Sequence, residues 1–130
     1  MSYFDHLSDR SVNPIDAVDG RGRSYLAVVG ESFYRRNIAA LADGHLGTTH
    51  TQALLVREPA NHYDPNCIAV CSPQSKLLGH LSRANARRFS HALDRLGRPV
   101  LVDAEIRRDT LDHDYNVVLR VDYGVLSGRR

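Results

Sequence analysis

The chain has two cysteines, one lysine against sixteen arginines, and no apolar run near the roughly 20 residues that a membrane-crossing helix needs. Two cysteines are too few for a disulfide scaffold. If the stretch from Cys67 to Cys71 is extended, four steps of about 3.3 Å place the two residues some 13 Å apart, too far for a disulfide or a shared metal. The seven histidines are scattered singly, and neither C-x-x-C nor H-x-x-x-H spacing occurs, so neither a metal nor a cofactor is expected. No G-x-x-x-x-G-K loop supports nucleotide hydrolysis, and serines, histidines and acids without a pattern do not argue a hydrolytic triad. The densest carboxylates, Asp109, Asp112 and Asp114, fall in one expected hairpin turn far from the arginines, which speaks against a metal-dependent nuclease. The expectation is a protein that is not an enzyme. Internal repeats, low-complexity tracts and a signal-peptide h-region are also lacking, so a cytoplasmic protein is expected, with association to the nucleoid compatible with it and no membrane contact.

What is present fits one domain: 130 residues, enough for a conventional core. The net charge of +2 is unevenly spread, since residues 20–100 hold ten arginines and Lys76 against only five acids. Arginine pairs with phosphate bidentately and stacks on bases, although base-composition bias in the genome would enrich it equally.

Residues 1–23 contain Asn13-Pro14, Asp19-Gly20 and Gly22 without a sustained period, and are expected to form an irregular arm before a domain at 24–123 and a tail at 124–130. Tyr25–Gly30 reads as a buried strand that Gly30 ends, permitting close backbone approach. Glu31–Asp43 has helical spacing, with Phe33, Ala40 and Leu41 on one side, Ile38 about a turn away and Gly44 as a stop. Strands are expected at Thr49–Arg57, Asn66–Cys71 and Leu77–Leu81. Ser82 is an N-cap for a second helix, with Phe89, Ala92, Leu93 and Leu96 at i, i+3, i+4 and i+7, Gly97 closing it, and Arg83, Arg87 and Arg88 on its other, solvated side. Val100–Ile106 and Tyr115–Val121 complete the order β-α-β-β-β-α-β-β. That order has too few crossovers for a doubly wound sheet and predicts a small, mostly antiparallel barrel with two helices.

The loop Arg57-Glu-Pro-Ala-Asn-His-Tyr-Asp-Pro-Asn66 joins two of the apolar strands. Asn61, Asp64-Pro65 and Asn66 are turn chemistry, but nothing in turn chemistry asks for Tyr63. Arg57 is expected to close the loop through Glu58 or Asp64.

With Val28-Val29-Gly30 before it and Gly79-His80-Leu81 after it, the string Arg57-Glu58-Pro59-x-Asn61-x-Tyr63-Asp64-x-Asn66-x-Ile68-x-Val70 resembles the HIRAN domain, over about residues 24–107. HIRAN domains occur in front of fork-remodelling DNA translocases and as lone domains in bacteria, and this chain looks like the lone form. The resemblance implies a six-stranded barrel of oligonucleotide-binding or SH3-like type. It also implies binding of single-stranded DNA with a free 3′-hydroxyl end, in DNA repair or the processing of stalled forks, with a helicase or nuclease in a separate chain. Carried over, Tyr63 would stack on a terminal base, Asp64 would accept a hydrogen bond from the 3′-hydroxyl, Asn61 would bond base or backbone, and His80 would approach a phosphate. Phe33 stands where a second stacking aromatic is expected, and Tyr34 beside it belongs to the same expected interface. Ser32 stands where the family has an arginine, and Arg35 or Arg36, one turn along, is expected to replace it. His62 replaces a usual proline, and a further aromatic is expected at Tyr115 or Tyr123. The reading from another class is a protein-interaction or scaffolding module that uses the same groove without nucleic acid.

Asp64 separates these readings. A carboxylate 4 Å from a phosphate costs about 1 kcal/mol in water and several when partly buried, so a generic strand binder should avoid it. At a chain end without a phosphate the penalty vanishes and the hydroxyl becomes a donor. The plainer alternatives are an Asp-Pro turn residue bonded to the Asn66 backbone, and a half-buried Tyr63 with a wet hydroxyl.

Overall fold

The computed structural model describes residues 16–42, 46–110 and 114–129. Among these residues the strands are β1 (Val18–Asp19), β2 (Arg21–Val29), β3 (Gly47–Arg57), β4 (Ile68–Cys71), β5 (Leu77–Leu81), β6 (Val100–Arg108) and β7 (Asn116–Val121). The helices are α1 (Arg35–Ala42), which follows a 3-10 turn at Glu31–Tyr34, then α2 (Arg83–Leu96) and the short α3 (Tyr123–Leu126). Six strands run β6-β3-β4-β5-β2-β7, and β7 pairs back onto β6, closing an antiparallel barrel of oligonucleotide-binding type. Closure removes the sheet edges that would otherwise template aggregation. The extra strand β1 lies parallel on β6.

The apolar runs of β3 and β4 are continuous because both faces of these strands are covered. Ala53, Leu55, Ile68 and Val70 join the main core with Phe89 and Leu93 of α2, whereas Leu54, Val56, Ala69 and Cys71 form a second cluster with Leu77, against which Tyr34 packs. Helix α2 follows its sequence signals: Ser82 Oγ accepts the Asn85 N–H at 3.2 Å, and Gly97, at φ 64°, donates its N–H to Leu93 O.

Three local expectations change. The arm expected over 1–23 is regular at its end, since β1 and the first residues of β2 lie within it; residues 1–15 lie outside the described residues. The tail expected at 124–130 begins as α3, where Asp122 caps Gly124 N–H at 2.8 Å and Leu126 is buried in the main core. The helix expected from Glu31 opens as a tighter 3-10 turn, which shifts the phase of its apolar positions. Phe33 is therefore 83% exposed, while Ile38 and Ala42 are buried. The expected stop, Asp43-Gly44, lies outside the described residues.

The close approach expected at Gly30 belongs to Gly79. A Cβ at Gly79 would meet Val29 O at 2.6 Å and Val28 Cγ1 at 2.5 Å, so only glycine lets β5 lie against β2 and close the barrel. A Cβ at Gly30 would meet only Phe33 Cδ2, at an ordinary 3.9 Å, and Gly30 serves instead through its φ of 77°, which turns the chain from β2 into the 3-10 turn.

Candidate nucleic-acid interface

The loop between β3 and β4 is built from its own side chains. Asn61 Oδ1 accepts the N–H groups of Tyr63 (2.9 Å) and Asp64 (3.1 Å), and Asp64 Oδ1 accepts that of Asn66 (2.9 Å). Asn61 is thus a structural cap, and Asp64 fills the turn role predicted as its plainer alternative. Asp64 Oδ2 accepts no hydrogen bond among the described residues.

Helix α2 holds this loop from one side. Arg83 Nη2 donates to Tyr63 O (3.1 Å), Ser90 Oγ donates to Asn66 Oδ1 (3.3 Å), and Asp94 takes Arg57 Nε (2.7 Å) and Nη2 (3.3 Å). Positions 83, 90 and 94 are spaced i, i+7, i+11, which on a helix of 3.6 residues per turn places them within about 40° of one line. Arg57 also donates Nη1 to Cys67 O (2.8 Å) and Nη2 to Pro65 O (2.9 Å). Its expected structural role is present, but the acid is Asp94 rather than Glu58 or Asp64. Arg83 is a loop support rather than a merely solvated residue.

On this frame Tyr63 is 88% exposed, so it is not the half-buried tyrosine of the plainer reading. Together with Phe33 it makes two large rings left almost wholly in water. Between β5 and the loop, His80 Nε2 stands 3.0 Å from Glu58 Oε1, and the Tyr34 ring lies 6.1 Å from that of His80, tilted by 56°. Burial, and then the neighbouring Glu58, raise the Tyr34 phenol above its ordinary value of 10.0. Register explains the grouping, because Val29 pairs with His80, bringing the start of the 3-10 turn beside β5.

Of the residues expected to contact ligand, Ser32, Phe33, Arg36 and Tyr63 are exposed, and Tyr34, Asn61, Asp64 and His80 are partly so. Arg35, also exposed, pairs its Nε with Asp114 Oδ1 at 2.8 Å. The acidic turn thus reaches the arginines instead of lying far from them, and Asp112 lies outside the described residues. Arg36 is exposed and pairs with no acid among the described residues. Neither candidate for a further stacking aromatic is available: Tyr115 is 6% exposed, and Tyr123 stacks on Phe89 at 5.8 Å and donates its hydroxyl to Tyr25 O.

Glu58 and Cys67 are the residues that spacing did not single out. The Glu58 carboxylate is buried against His80 and accepts the Cys67 thiol at 3.8 Å. Their one sequence signal is an acid at the end of an apolar strand, where a carboxylate is rarely buried without a partner.

The sequence model of the HIRAN domain family matches residues 22–118. Among solved structures, the HIRAN domain of human HLTF is similar at 18% identity over 81% of this chain and 80% of that one, with a TM-score of 0.47. A protein from Lactobacillus plantarum is similar at 27% identity over 75% of this chain and 91% of that one, with a TM-score of 0.48. No curated protein matches the chain.

Proposed function

The chain belongs to the HIRAN domain family, and from that premise we propose that it is a nucleic-acid-binding module that takes single-stranded DNA by a free 3′-hydroxyl end. The observation that carries this reading is Tyr63, 88% exposed at the tip of a loop pinned by hydrogen bonds from β3, from helix α2 and from its own Asn61. An aromatic held in water on a rigid support is a stacking platform whose ordering cost is already met before the ligand arrives. Phe33 offers a second ring. His80 lies between the loop and the 3-10 turn, where an imidazole can meet a phosphate, and Arg36, with no acid partner among the described residues, is a cation near the position of the missing family arginine.

Asp64 sets the selectivity. With Oδ1 committed to the turn, Oδ2 accepts a 3′-hydroxyl and repels a 3′-phosphate. The setting we propose is DNA repair or stalled-fork processing in the cytoplasm, with motor or nuclease activity supplied by another chain. Fluorescence anisotropy with oligonucleotides that differ only at the 3′ terminus is the test. The hydroxyl end is expected to bind more tightly, with affinity falling by about 0.7 log unit per log unit of salt for each phosphate neutralised. Equal affinity for both ends would reject end recognition, and salt-insensitive or absent binding would favour the protein-interaction reading.

A further inference from the structure

Beneath the candidate interface, three side chains of different chemistry converge from three parts of the chain. Glu58 follows β3, Cys67 precedes β4, and His80 lies on β5. Their ligand atoms all lie within 4.8 Å of one another: Glu58 Oε1 is 3.0 Å from His80 Nε2 and 3.8 Å from Cys67 Sγ. We propose that Glu58, Cys67 and His80 form a binding site for a zinc-class transition-metal ion. The site shares His80 with the proposed nucleic-acid interface, but its test reads metal binding alone and does not depend on that reading.

The geometry is near that of such a site. Zinc bonds of about 2.3 Å to sulfur and 2.0–2.2 Å to nitrogen and oxygen, at tetrahedral angles, put donor atoms roughly 3.3–3.6 Å apart. The two separations at Glu58, 3.0 and 3.8 Å, lie within about 0.5 Å of those values, and the third is no more than 4.8 Å, within reach of side-chain rotation. The backbone frame is fixed, because Glu58 N–H donates to Cys67 O at 2.9 Å, Ala69 pairs with His80, and Arg57 clamps Cys67 O. Carboxylate, thiolate and imidazole together suit zinc, cobalt or iron and not magnesium or calcium, which take oxygen ligands. The Glu58 side chain is 3% exposed and that of His80 25%, so the cluster opens to solvent on the His80 side, where a fourth ligand would enter.

The electrostatics favour a cation. A carboxylate and a thiolate buried together repel each other, with little solvent to screen them. A divalent ion reverses that balance. On binding, the Cys67 S–H bond is lost and its proton passes to solvent, while the imidazole hydrogen occupies Nδ1 and frees Nε2 for the metal. Two anionic ligands then neutralise the ion, and the buried cluster goes from one negative charge to none.

The test is cobalt titration of the full chain after EDTA treatment and exchange into metal-free buffer. The expected result is one equivalent bound, with near-ultraviolet thiolate-to-cobalt absorption and the visible bands of a four-coordinate site, both removed by added zinc. Cys71, also buried on β4 but outside the cluster, is the internal control. Cys71→Ser should keep the thiolate band and Cys67→Ser should lose it. His80→Ala should weaken zinc affinity by more than about 100-fold, beyond the loss of an outer-shell partner. Absence of the band in the unaltered chain overturns the proposal without any variant. So does its persistence in Cys67→Ser, or its loss in a Cys71→Ser protein shown by circular dichroism to be folded.

Discussion

At the scale of single residues, exposure divides the aromatics into two groups. Tyr115 is buried and Tyr123 is stacked on Phe89, so both belong to the fold, whereas Tyr63 and Phe33 contribute little to it. Tyr63→Ala is therefore expected to leave the urea-unfolding free energy within about 0.5 kcal/mol of the parent. It should weaken oligonucleotide binding by about 1–3 kcal/mol, the worth of one stacked base. Measuring both on one preparation separates a ligand contact from a structural one, because a structural tyrosine would give the reverse pattern. Asp64 allows a finer cut. Asparagine keeps an oxygen to accept the Asn66 N–H and replaces the second oxygen by an NH2 donor, so Asp64→Asn preserves the turn and removes only the outward acceptor and its charge. Its expected outcome is unchanged stability with the preference for a 3′-hydroxyl over a 3′-phosphate abolished, read by anisotropy with the same pair of oligonucleotides. A retained preference would move the selectivity to another residue.

At the scale of elements, the candidate site is a loop made rigid by a strand and a helix. Arg57 joins them, with four hydrogen bonds to Asp94, Cys67 O and Pro65 O. Arg57→Ala leaves two carbonyls without this donor and is expected to cost about 1.5–3 kcal/mol in urea unfolding. It should also weaken DNA binding although Arg57 is placed to hold the loop rather than the ligand, because Tyr63 loses its fixed position. Arg57→Lys should recover only part of both effects, since an ammonium cannot reproduce the planar fork. Strands β3 to β5 and helix α2 were legible in sequence because each carries a strong local signal: Ala53–Val56 is an unbroken apolar run, and Ser82 and Gly97 bracket an amphipathic helix. The start of β2 was not, because Arg21-Gly22-Arg23-Ser24 is polar and glycine-containing, and its strand form depends on pairing with β7 nearly 100 residues away. The exposure of Phe33 was hidden by the 3-10 turn, which has no sequence mark of its own here. The pairing of Arg35 with Asp114 had no sign in sequence, because the two meet only once the chain has folded. In the site, the motif identified Asn61, Tyr63 and Asp64 as a unit, but the convergence of Glu58, Cys67 and His80 follows from strand register and leaves no periodic trace.

At the scale of the whole molecule, the same closed barrel that fixes the site buries two thiols and part of a phenol, and this sets its response to alkali. Burial, with Glu58 adding to it, holds both Cys67 and Cys71 at about 12 in the folded chain against an ordinary 9.0, and Tyr34 is raised above 10.0. Below about pH 9 the thiols are protonated whether folded or unfolded, and their contribution to stability is complete. As the pH rises past 9 the unfolded chain releases protons that the folded chain still holds, so unfolding is favoured and the contribution is lost progressively towards pH 12. Tyr34 acts in the same direction from about its ordinary value upward. The unfolding midpoint in urea of the metal-free protein should therefore fall steadily between about pH 8.5 and 10.5. A Cys67→Ala, Cys71→Ala double variant should begin lower, from lost packing, and fall less over the same range. A variant that fell as steeply as the parent would assign the loss to other groups. Zinc supplies the opposing arm: an ion that already holds Cys67 as thiolate removes the proton that residue would release on unfolding, so the zinc-loaded parent should show a shallower decline than the metal-free one.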